Sequence, residues 1–148
     1  MATLRVQEAD FDVSQELAAL TAGRTDIGGI GCFVGTVRSG GDLAAMTLEH
    51  YPAMTEAAIG RIAGEAERRW SLLGCTVIHR VGRLEPGAQI VLVLAAASHR
   101  AEALEATAFL IDWLKTKAPF WKREEFADGS GEWVEARETD DAATARWK

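Results

Sequence analysis

Residues 90–97 read Ile-Val-Leu-Val-Leu-Ala-Ala-Ala, an apolar run held between Gln89 and Ser98. A strand with one wet face alternates polar and apolar residues, so this run predicts a strand covered on both faces. The fold must then supply packing layers on either side of one sheet. The chain turns at once into a stretch with helical periodicity, from about His99 to Lys117. Ser98 is the expected N-cap and Pro119 the stop, since a proline pushes the residue before it out of the α region. At about 100° per residue, Leu104, Ala108, Ile111 and Ala118 define the face expected to be buried, and Lys115 falls in the middle of it. That lysine either snorkels out at the helix end, where the dipole favours a cation, or reaches into a pocket the helix floors.

Glycine and proline punctuate the rest. Residues 4–6 read as a short strand and residues 14–22 as a short helix with Ser14 as its cap and Gly23 as its end. Residues 28–38, Gly-Gly-Ile-Gly-Cys-Phe-Val-Gly-Thr-Val-Arg, read as a strand whose glycines permit close backbone approach or bulging. No helix opens after it, so it is not a dinucleotide-binding turn. Residues 39–42 read as a turn or a mobile loop and residues 45–51 as a strand; Pro52 opens a long helix expected to run to residue 73 and end at Gly74. Ile59, Ile62, Ala63, Ala66 and Trp70 form its core stripe. Residues 75–81 and 89–97 are strands joined through residues 82–87, with His79 and Arg80 expected as an ordinary surface pair. Residues 120–126 and 132–136 read as a hairpin around Asp128-Gly-Ser-Gly131, and residues 137–148 as a polar tail. The expected fold is one α+β domain over residues 1–148, with mainly antiparallel sheets.

A net charge of −6 argues against a general nucleic-acid or anionic-membrane binder, so the basic cluster Lys115, Lys117, Lys122 and Arg123 stands out locally. No apolar run approaches the roughly 20 residues a membrane helix needs. The N-terminus shows neither a basic nor an apolar signal region, which makes the cytosol the expected location. Cys32 and Cys75 lack a CxxC partner and are expected as buried free thiols. His50, His79 and His99 are too scattered to suggest a metal site. On residues alone, Arg38, His99, Arg100, Lys115, Lys122 and Arg123 compose an anion site suited to a phosphate-bearing small molecule, with both ends of one helix facing it. A lysine partly desolvated beside other cations can serve as base or nucleophile. A non-catalytic module that holds a phosphorylated metabolite or a partner's tail would use the same cations.

Six segments, FVGTVR (33–38), LEHYPAMTE (48–56), IHRVGRLEPG (78–87), SHRAEALEA (98–106), LKTKAPFWKRE (114–124) and WVEAR (133–137), together resemble the large, catalytic subunit of molybdopterin synthase. The resemblance implies an α/β hammerhead with an additional antiparallel sheet, and a sulfurtransferase of molybdenum cofactor biosynthesis. In that family sulfur arrives as the C-terminal Gly-Gly thiocarboxylate of a small ubiquitin-like partner. It passes to cyclic pyranopterin monophosphate to build the dithiolene of molybdopterin. The large subunits form a homodimer, the core of a heterotetramer, and the phosphate site borrows residues across the dimer interface. Matched motif by motif, Lys115 and Lys122 are the catalytic residues. Thr36, Val37, Arg38, His99, Arg100, Arg123 and Glu124 join them in binding substrate, and Phe33 and Arg137 match positions near the site. No cofactor or metal is expected, and no cysteine of this chain is required, because the sulfur belongs to the partner. The loop that follows Arg38, Ser-Gly-Gly-Asp-Leu-Ala-Ala, is shorter than the family usually has.

Overall fold

The computed structural model describes residues 2–134 together with residues 142, 145 and 147. In chain order its elements are β1 (Ala2–Gln7), α1 (Val13–Thr21), β2 (Gly29–Thr36), β3 (Leu43–His50), α2 (Pro52–Trp70), β4 (Gly74–Arg80), β5 (Gly82–Leu84), β6 (Gln89–Ala97), α3 (Arg100–Thr116), β7 (Phe120–Phe126) and β8 (Gly131–Val134). The apolar run is β6, an inner strand of a sheet ordered β1-β4-β6-β2. Both its faces are covered. Val91 and Val93, with Val77 of β4, pack with Ile59 and Ile62 of α2 and Phe109 and Leu110 of α3. Leu92, Leu94 and Ile78 point the other way, into Phe11, Leu17 and Leu20 around α1. A second sheet, ordered β5-β3-β7-β8 and antiparallel throughout its pairings, contributes Leu48, Leu84 and Phe120 to the first of these clusters. The result is one α+β domain with two sheets, as expected.

Local differences have local causes. Asp12, not Ser14, caps α1: its carboxylate accepts a hydrogen bond from the Gln15 N–H at 3.1 Å. α2 stops at Ser71, which takes a left-handed conformation (φ 48°), three residues before the glycine expected to end it. Gly74 instead opens β4, where a Cβ would meet Leu20 Cδ1 at 2.7 Å. Ser98 does not cap α3; His99 holds that position without a side-chain bond. β5 is too short for alternation to reveal it, and it exists through its ladder with β3, Leu84 opposite Met46.

The rotation of α3 is the largest correction. Its buried residues are Ala103, Ala106, Thr107, Phe109, Leu110 and Leu114, while Leu104 is 59% exposed. Lys115 therefore lies beside the buried stripe, exposed, and not in its middle. The cause is β2. A Cβ on Gly31 would sit 2.5 Å from the Ala103 carbonyl oxygen and closer still to Thr107 Oγ1. Backbone this near selects small side chains on the facing helix surface, so ranking by hydrophobicity picks the wrong face. Thr107 is tolerated there because its hydroxyl donates to the Ala103 carbonyl at 2.7 Å. Gly31→Ala is expected to overpack this contact and lower stability by about 1–3 kcal/mol. A fall in the urea midpoint with an unchanged m-value checks it.

Trp147 lies within the stretch read as a polar tail, yet it docks on α2 and α3. Its indole donates to Asp112 Oδ2 at 2.6 Å and meets the rings of Trp70 and Phe109 edge-on at 5.6 and 5.7 Å. Among the described residues no helix is long and apolar enough to cross a membrane.

Candidate active site

α3 runs back along the sheet from the end of β6, so its last turn returns to the edge where β6 begins and where His79 of β4 pairs with Val91. There the chain breaks at Pro119 and enters β7. The Phe120 ring lies flat on the His79 imidazole, centroids 3.9 Å apart and planes inclined by 18°, with the His50 ring 6.2 Å from Phe120. Side chains alternate along a strand, so Phe120, Lys122 and Glu124 share one face of β7. Trp121, Arg123 and Glu125 take the other. Lys122 stands opposite Leu48, which is buried, and so projects half-buried from the core-facing side. Leu114, Leu48 and Val37 belong to one packed cluster. Val37 bonds to Ala88 just before β6, Lys115 acts on the charge of His79, and Lys122 follows Phe120, so Arg38, Lys115 and Lys122 lie toward the end of the sheet where β6 begins.

The site is electropositive. Among the described residues Arg38 and Lys122 have no carboxylate partner, whereas most other arginines do, as in Arg24 with Asp26 at 2.8 Å and Arg83 with Glu125 at 3.3 Å. A cation without a carboxylate partner is a place for a ligand's negative charge. His79 carries no such charge. It is 7% exposed, contrary to the surface position expected for it, and burial pushes its imidazole down to about 4. The bond its Nδ1–H donates to the Arg80 carbonyl, 2.8 Å away, works against that, while the charges of Lys115 and His50 add to it. Because the unfolded chain binds this proton from about pH 6.5 downward and the folded one only near 4, stability falls as pH drops across that window. The loss is expected to reach roughly 3 kcal/mol. Urea titrations between pH 7.5 and 4 check it, with a shallower decline in His79→Phe, which has nothing to protonate there.

The fold also separates residues that the sequence grouped. Arg100 and His99 sit at the other end of α3 from Lys115, roughly 22 Å away along the axis at about 1.5 Å per residue. Both are exposed, His99 with Glu102 at 3.7 Å. One chain thus presents two cationic groups, and the two ends of the helix do not face a common ligand. Arg123 is turned to the opposite face of β7 from Lys122, 3.7 Å from Glu125 and over Gly131. Glu124 does share the face of Lys122. Thr36 is exposed at the end of β2, next to Arg38; Val37 is buried, its N–H donated to Ala88 and its carbonyl accepting from Gly87, so it anchors Arg38 and leaves no side chain for a ligand. Phe33 is half-buried on β2, packed against the first core cluster, and Arg137 lies outside the described residues. Cys75 is buried as expected, its thiol pushed up to about 12 by burial, but Cys32 is exposed because β2 is an edge strand.

Sequence reasoning missed His79 and Phe120. The signal was present: β4 is buried at every position from Gly74 to His79, as an inner strand must be. A histidine continuing such a run belongs to the interior. Beside the corner, Glu49, His50, Tyr51, Trp121 and Trp133 line an open depression of about 390 Å³.

Two sheets sharing one core, with Lys115 and Lys117 at the exit of a helix and Lys122 on the strand that follows, define an α+β domain with a cationic corner. The family model of the MoaE protein matches residues 6–117. The molybdopterin synthase catalytic subunit of Mesorhizobium japonicum is 58% identical over 148 residues, which cover 99% of this chain and 93% of that one. Its counterpart in Pseudomonas aeruginosa is 52% identical, with 98% of each chain covered. The solved structure of the molybdopterin biosynthesis MoaE protein from Burkholderia ambifaria matches with a TM-score of 0.86 at 56% identity, over 99% of this chain and 98% of that one. The chain belongs to the MoaE protein family.

Proposed function

We propose that this chain is the catalytic subunit of a molybdopterin synthase. It transfers sulfur from the C-terminal thiocarboxylate of a small ubiquitin-like partner to cyclic pyranopterin monophosphate, forming the dithiolene of molybdopterin. What supports the reading is that Lys115 of α3 acts on the charge of His79, that β7 begins at Phe120 stacked on that ring with Lys122 two residues on, and that Arg38 has no carboxylate partner among the described residues. Attack by a thiocarboxylate sulfur needs the substrate phosphate anchored and the departing oxygen protonated or otherwise stabilised. Arginine suits the first task and a lysine pair the second. Cys75 is withdrawn into the core with its thiol protonated, in keeping with sulfur supplied from outside the chain.

His99 and Arg100 enter this site from a second copy. In a symmetric homodimer the α3 N-terminus of one chain meets the lysine corner of the other, and the phosphate is held between Arg38, Lys115 and Lys122 of one copy and His99 and Arg100 of its mate. A partner at each end completes a heterotetramer, and the assembly works in the cytoplasm. The test mixes the purified chain with the thiocarboxylated partner and cyclic pyranopterin monophosphate. Dithiolene product is expected; its absence with a demonstrably thiocarboxylated partner rejects the reading and leaves a module that only binds phosphate or the partner's tail.

A further inference from the structure

We infer that His79 is a positioning residue for the two lysines: its stack on Phe120 holds the start of β7, and with it Lys122, against the last turn of α3. The inference rests on the reading of Lys115 and Lys122 as the reacting pair.

Lys115 and Lys122 belong to different elements joined by a break. Pro119 ends the helical path, and the Phe120 N–H donates to the Ala118 carbonyl at 2.8 Å, a tight corner in which Ala118 and the Phe120 ring pack on the core. That ring needs a fixed surface. His79 supplies one, because it sits on an inner strand buried on both faces and its Nδ1–H is tied to the Arg80 carbonyl at 2.8 Å, which sets the ring's rotation. Arg80 is itself held by the Glu8 and Gln89 carbonyls, at 2.9 and 3.0 Å. A displacement of Phe120 passes directly to Lys122, two residues on and on the same face of β7. The groups around the imidazole are Lys115 from α3 and His50 from β3, both basic, so a neutral ring there adds no repulsion to the site. Side chains held to a fraction of an ångström matter to rate, since small misplacements cost up to about a hundredfold.

The test combines a geometric and a kinetic readout on the full chain. A short amine-to-amine cross-linker is applied without substrate or partner, and the link between residues 115 and 122 is quantified by peptide mass spectrometry. In wild type the link is expected to form. His79→Ala is expected to lose most of it and to lose roughly tenfold to a hundredfold in kcat, with KM for the partner little changed. His79→Phe, which keeps the stack, is expected to retain most of both. If His79→Ala does not fold, His79→Leu replaces it, filling the space without a ring. A folded Ala or Leu variant that keeps the link and kcat overturns the inference, as does a His79→Phe variant no better than it. An inactive wild type would count against the proposed reaction, while the cross-link still decides the role of His79.

Discussion

Lys115→Ala and Lys122→Ala are each expected to lower turnover by about a hundredfold to a thousandfold, with much smaller changes in the affinity for substrate. An anchored phosphate is bound equally in the ground and transition states, whereas charge on the departing oxygen exists only as the reaction proceeds. Groups that meet it therefore act on kcat. The structure makes the two lysines unequal in a useful way. Lys115 is exposed in the single chain, and Lys122 is half-buried opposite Leu48. Neither substitution opens a cavity in the core, so a loss of activity with an unchanged melting transition reads as chemistry. Equal losses in affinity with retained turnover would instead make these lysines binding groups only.

A mixture of Lys115→Ala and Arg100→Ala chains is expected to recover about a quarter of wild-type activity, although each variant alone is nearly inactive at low substrate. Half of the randomly paired dimers are mixed, and in each of these one site receives both altered residues while the other receives neither. The prediction follows from the distance between the two ends of α3, which one chain cannot bridge. Co-refolding the two variants, with the separately refolded proteins as controls, measures it. A mixture that stays at the level of its components would mean that Arg100 serves some other purpose, or that the site is complete within one chain.

Much of the frame is readable in one dimension. The run in β6 demands cover on both faces, and α1 and α2 with α3 provide it. Strands β6 and β7 begin and end where hydrophobic content and Pro119 place them. The face of α3 is not readable, because the glycines of β2 decide it from outside the helix: close approach rewards Ala103 and Thr107 over the more hydrophobic Leu104. The site divides similarly. Residue types and motifs pick out Lys115, Lys122, Arg38, His99 and Arg100, but Arg123 is assigned to the same pocket only until strand alternation turns it away.

The amino-acid sequence by itself determined the chemistry, a set of cations in an acidic chain and a resemblance strong enough to name the reaction, since residue type and order need no coordinates. Tertiary structure alone decided the arrangement: that α3 keeps its two cationic ends about 22 Å apart, and that a buried, uncharged His79 joins β4 to the start of β7. Helix rise and strand pairing convert neighbours in the chain into distances in space, and burial sets which rings stay neutral. Those are properties of the packed molecule.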